Sequence, residues 1–79
     1  MNREKLVNDC LRNVRKTLPY GPWDLLVFNR DFHVVERKIF WPDEEAVARS
    51  WALKHLQRID RGVGFFPNPT IVMHWGGVQ

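Results

Sequence analysis

The chain has 79 residues and a net charge of +3, 44% of it is apolar, and it carries four Trp and five Phe. This describes one domain spanning residues 1–79, with an aromatic core in place of an internal disulfide, which the single Cys10 excludes. Charges or turn residues break every apolar segment well before the roughly 18 to 20 residues a membrane span needs, and MNREKLVNDC lacks a signal-peptide run. The expectation is a cytoplasmic protein with no membrane partner.

Residues 3 to 18 place Leu6, Val7, Cys10, Leu11, Val14 and Leu18 at steps of three and four, the stripe of an amphipathic helix. Pro19 disfavours helical geometry at Leu18, and Gly21-Pro22 marks a turn. From Trp23 to Trp41 the chain is rich in β-branched and aromatic residues, with Asn29-Arg30-Asp31 as the turn-prone cluster, so a β-hairpin is predicted. Its first strand is apolar on both sides: Trp23, Leu25 and Val27 alternate with Asp24, Leu26 and Phe28.

The stretch 42–61 reads as a second helix. Pro42 stands at its entry, Asp43, Glu44 and Glu45 fill the first turn, and Lys54 to Arg61 lie towards Gly62, each sign where the helix dipole favours it. Ala48, Trp51, Ala52, His55, Leu56 and Ile59 share one face. GVGFFPNPT has the glycines and prolines of a loop, and residues 70 to 75 form a last strand with Ile71, Met73 and Trp75 on one side.

The predicted fold is a small α+β single domain in the order α-β-β-α-β, with a short, mainly antiparallel sheet and a helix packed on one face. The first helix has two places to go. It either joins the second helix, leaving an open apolar sheet face suited to a dimer or partner contact, or it covers the opposite face.

Residues able to carry chemistry are scattered. His33, His55, His74 and Cys10 form no CxxC, HxxxH or HExxH pattern, so no metal and no cofactor is expected. His55 falls on the apolar helix face as a hydrogen-bonded structural histidine, Cys10 lies in the first helix's apolar stripe, and Ser50 lacks a GxSxG elbow. Asp43, Glu44 and Glu45 diverge by about 100° per residue and are explained by helix entry. Gly62-Val63-Gly64 and Gly76-Gly77 are no phosphate loop.

Two basic arrays and one aromatic pair remain. Lys5, Arg12 and Lys16, with Arg15 beside them, line the first helix, and Lys54, Arg58 and Arg61 follow i, i+4, i+7 on the second. Solvated helix faces explain either array alone, while together they suit an acidic protein surface or a phosphate backbone. The aromatic residues Trp23, Phe28, Phe32, Phe40, Trp41, Trp51 and Trp75 are expected in the core, whereas adjacent Phe65 and Phe66 cannot both point inward, so at least one is a candidate interface anchor.

The leading expectation is a non-enzymatic binding module acting through protein–protein contacts, a regulator or inhibitor of a larger complex of the kind a mobile element encodes. Its partner is a protein, with an acidic surface as one fit and a homodimer as another. The alternatives are a nucleic-acid-binding protein of little sequence specificity, using the basic helices, and a small toxin-like nuclease using His33 or His55.

Overall fold

The computed structural model describes residues 3–66 and 68–75, with residues 3, 6, 17 and 68–75 described by their backbone alone. Two helices and four strands run in the order α1 (Arg3–Thr17), β1 (Trp23–Phe28), β2 (Val34–Phe40), α2 (Glu45–His55), β3 (Gly62–Phe65) and β4 (Asn68–Trp75). The strands form one antiparallel sheet in the order β2-β1-β3-β4. The α+β class and the α-β-β-α-β succession hold, with the last β element doubled. None of the described helices is long and apolar enough to cross a membrane.

The stripe of α1 ends where the sequence says: Leu18 N–H still donates to the Val14 carbonyl at 2.7 Å, and the chain then leaves the helix at Pro19. Arg15 fixes this exit. Its guanidinium donates to the carbonyls of Leu18 (3.2 Å) and Gly21 (2.8 Å) and lies 3.6 Å from the ring centroid of Trp23. Gly21 has a φ of +134°, a backbone that side-chain-bearing residues rarely adopt, which lets the turn swing into β1.

Strand β1 is central, between β2 and β3, which explains its two apolar faces. Trp23, Leu25 and Val27 enter a core completed by Val7 and Leu11 of α1, Phe40 of β2, Ala48, Ala52 and Leu56 of the α2 region, and Val63 and Phe65 of β3. All of these belong to one cluster, so both helices pack on the same sheet face. Ala48 and Ala52 are wholly buried and let α2 approach the sheet closely.

Three expectations need correction. The second helix runs over 45–55 rather than 42–61. Trp41 to Glu44 form a turn instead, in which the Glu44 N–H donates to the Trp41 carbonyl (2.9 Å) and the Trp41 N–H to Glu44 Oε1 (2.8 Å). At the other end Leu56 caps the helix, and Arg30 from the β1–β2 connection reaches across to the Ile59 carbonyl at 3.2 and 2.8 Å, holding an irregular turn. Ile59 is consequently 69% exposed rather than packed inward.

Secondly, residues 62–65 of GVGFFPNPT form a strand rather than a loop. Gly62 to Phe65 pair with Phe28 to Leu25, so strand hydrogen bonds to β1 override the low strand propensity of two glycines. Thirdly, Phe32 and Trp41 are not core residues. Phe32 sits in the β1–β2 connection with a φ of 63°, and Trp41, 74% exposed, stands in the turn before α2. The facing expected for Ile71, Met73 and Trp75, the core place of Trp75, and all of Gly76-Gly77 and His74's side chain lie outside the described residues.

Candidate interaction surface

The two helices leave the opposite sheet face without a helical cover. Cross-strand pairing of Asp24 with Ile39 and of Leu26 with Arg37 places these residues on that outer face, and alternation adds Val35 and Phe28. A register shift opposite Val27 and Phe28 gives β2 one extra residue there. On β3 the positions opposite Leu26 and Phe28 are Gly64 and Gly62, so that strand adds no side chains to this face.

Charge on this face is organised rather than free. Arg37 donates through Nε and Nη2 to the two carboxylate oxygens of Asp24 at 2.8 and 2.5 Å, and this hydrogen bonding raises the guanidinium's pKa above its ordinary value. The same guanidinium lies 5.3 Å from the ring centroid of Phe66, whose N–H donates to the Asp24 carbonyl at 3.0 Å. Phe66 thereby flanks the outer face and is 51% exposed, while Ile39 beside it is 57% exposed and Val35 is exposed as well. Strand β2 is also a sheet edge, and all its residues except Phe40 are exposed.

The adjacent phenylalanines divide as strand geometry demands. Phe65 is the last residue of β3 and faces the core at 2% exposure, so it cannot be an anchor; Phe66, one residue on, faces out.

The second basic array is not one helical strip. On α1, Lys5, Arg12 and Lys16 are exposed, with Arg12 3.5 Å from Asp9, whereas Arg15 is committed to the α1–β1 turn. On α2 the helix stops before the array does. Lys54 is helical, but Arg58 and Arg61 lie in the following turn and both hold Asp60, at 3.1 and 2.8 Å, which pulls the Asp60 carboxyl below its usual pKa. Two of the three expected free cations there are already paired.

His55 closes the core between α2 and β2. Its Nε2 lies 3.2 Å from Glu36 Oε2, and its ring meets Trp51 edge-on at 4.4 Å between centroids, while Trp51 in turn meets Phe40 at 5.9 Å. Burial lowers the His55 pKa; Glu36 opposes the shift, and Lys54, Arg61 and Arg58 reinforce it. Because the folded state favours neutral His55, its contribution to stability is complete above the unfolded value of about 6.5 and is lost as pH falls through the lower folded value. Urea melts at pH 7 and pH 5 should show a drop in midpoint that is smaller in His55→Gln; equal drops would contradict this placement.

His33 sits in the β1–β2 connection, where its N–H donates to Asn29 Oδ1 at 3.0 Å, so His33 and His55 belong to different elements with different partners. Cys10 is half-buried on α1, and burial, followed by Asp9, raises its pKa, which disfavours the reactive thiolate. Among the described residues, no group of His, Cys, Asp and Glu could hold a metal ion.

Three features were not legible in sequence: the outward Ile39, the Arg37–Asp24 clamp and the inward Phe65. Alternation along β2 and β3 carries the signal for each, but it can be used only once the pairing register is known. No family model, curated protein or solved structure matches this chain.

Proposed function

We propose that this chain is a non-enzymatic binding module that docks a protein partner on its helix-free sheet face, along the β2 edge. The observation that carries the reading is the packing of α1 and α2 on one face, which leaves Val35, Ile39 and Phe66 exposed together around the Arg37–Asp24 clamp. Isolated exposed apolar residues are ordinary, but a group on a sheet face beside an edge strand offers both a contact patch and unpaired backbone donors and acceptors. The clamp presents Arg37 with its charge neutralised, so docking over it does not strand an unpaired cation.

A partner with an apolar strand and a mildly acidic rim fits best, given the net charge of +3. A regulator or inhibitor that occupies a surface of a larger complex has this construction. The nucleic-acid reading keeps the α1 cations and Lys54 as support, because Arg58 and Arg61 are paired with Asp60.

The two readings separate in a pull-down from nuclease-treated lysate. Ile39→Asp should reduce the recovered partner by about tenfold or more, the loss of a single well-buried anchor, while the double change Arg12→Glu with Lys16→Glu should leave it unchanged. The reverse pattern, with binding to DNA or RNA that fades steeply with salt, would replace this reading by the nucleic-acid one.

A further inference from the structure

Strand β2 pairs with β1 on one side and with no strand on the other among the described residues. Charges in mid-strand usually guard such an edge against pairing, and β2 carries three in a row, Glu36, Arg37 and Lys38. Here their order matters more than their number. Arg37 has an acid on one side and a base on the other, and two residues away in each direction stand Val35 and Ile39, both exposed.

An antiparallel copy of β2, related by a two-fold axis through Arg37, therefore sets Glu36 opposite Lys38 twice and Val35 opposite Ile39 twice. Residues directly opposite each other share a sheet face. The Val35 and Ile39 pairs fall on the outer face with Arg37, while Glu36 and Lys38, which lie opposite Val27 and Leu25 of β1, fall on the face that carries the helices. The only like charges that meet are the two Arg37 guanidinium groups, and each is already held by both carboxylate oxygens of its own Asp24.

The neighbouring registers that keep the helices of both copies on one side are worse. Centring on Glu36 opposes it to itself and sets Arg37 against Val35; centring on Lys38 opposes that cation to itself and sets Arg37 against Ile39. The register shift in β2 lies beyond Glu36 towards Val34, so the three central positions keep a regular strand.

We propose that β2 pairs with the β2 strand of a second copy of this chain, antiparallel and centred on Arg37, which rests on the reading of the β2 edge as a docking surface and names its occupant. The pairing satisfies the open backbone groups of both edges and joins two four-stranded sheets into one. Val35 and Ile39 of the two copies then meet across the axis, and the merged outer face, rather than the edge backbone, is what remains for a heterologous partner.

The test is the mass of the full chain in solution, by sedimentation equilibrium at about 0.15 M salt, where repulsion between two chains of charge +3 is screened. The mass should rise with concentration from 9.4 kDa towards twice that value. Lys38→Glu and Glu36→Lys each set like charges opposite one another twice and should each weaken the dimer by about tenfold or more. The double change Glu36→Lys with Lys38→Glu should restore it, and an equimolar mixture of the two single variants should form mixed dimers, because each altered strand then meets opposite charge at both positions. Lys38→Glu also leaves the Glu36 contact with His55 in place, so damage to that contact cannot account for its effect.

A mass that stays at 9.4 kDa up to millimolar concentration, a dimer undiminished in Lys38→Glu, or no recovery in the double variant would overturn the pairing. If the chain is monomeric while Ile39→Asp still abolishes recovery of a partner from lysate, the second copy is excluded and the docking reading survives. If the chain dimerises with the expected charge pattern but recovers no other protein, the pairing stands and the heterologous partner falls.

Discussion

Trp23→Ala should lower the stability of this protein by about 3 to 5 kcal/mol, the usual loss for a large aromatic residue removed from a core. For 79 residues, total stability is of the order of 4 to 12 kcal/mol, so much of the population would unfold near room temperature or shortly above it. At about 4 to 8 °C per kcal/mol, Tm should fall by about 15 °C or more. The reason lies in how many elements meet on one ring.

Trp23 is 1% exposed, pairs with Phe40 across β1 and β2, and donates from Nε1 to the Pro42 carbonyl at 3.3 Å, tying the start of β1 to the turn before α2. The Arg15 guanidinium stacked on its other side ties it to the end of α1. Removing the indole leaves a cavity and releases both ties. Trp41→Ala is the matched control: the side chain is exposed and the backbone bonds with Glu44 survive, so stability should change by no more than about 0.5 kcal/mol. Comparable losses in the two variants would mean that the core is misassigned.

The second large effect separates neighbours in sequence. Phe65→Ala should cost about 3 to 5 kcal/mol, whereas Phe66→Ala should cost no more than about 1 kcal/mol, the scale of its exposed contact with Arg37. Denaturant melts of the two variants measure the difference. It follows from β3 alone: Phe65 lies opposite Leu25 on the core face, and Phe66 has passed beyond the strand to the other side. If Phe66→Ala were the more damaging change, β3 would have to be out of register by one residue.

Much of the fold could be read in the residues. The α1 stripe, the two-faced β1, the hairpin and the small alanines of α2 each follow a local period, and periods survive folding when the buried face is continuous. His55 turned partly inward, between Trp51 and Glu36, for the same reason. What could not be read depends on contacts distant in sequence. The charge pattern of residues 54–61 continues a helix on paper, but Arg30, about thirty residues earlier, holds the Ile59 carbonyl, and Asp60 draws Arg58 and Arg61 out of line.

Strand β3 was hidden by its own composition. Glycine at 62 and 64 suppresses the strand signal, yet glycine is tolerated there because β1 and β4 flank the strand on either side and supply its pairing. Arg49 was invisible for a related reason. Nothing around it in sequence distinguishes it from an exposed helix cation, yet its Nε is buried without a hydrogen-bond partner among the described residues.

This protein is proposed to work by protein contact on its helix-free sheet face. Photocrosslinking tests it most directly, with a photoreactive phenylalanine placed at position 39 on that face, or at position 47, an exposed residue of α2. Irradiation in cells should yield a discrete protein adduct from position 39 and none from position 47. Adducts from position 47 alone, or crosslinks from position 39 to nucleic acid instead of protein, would contradict it.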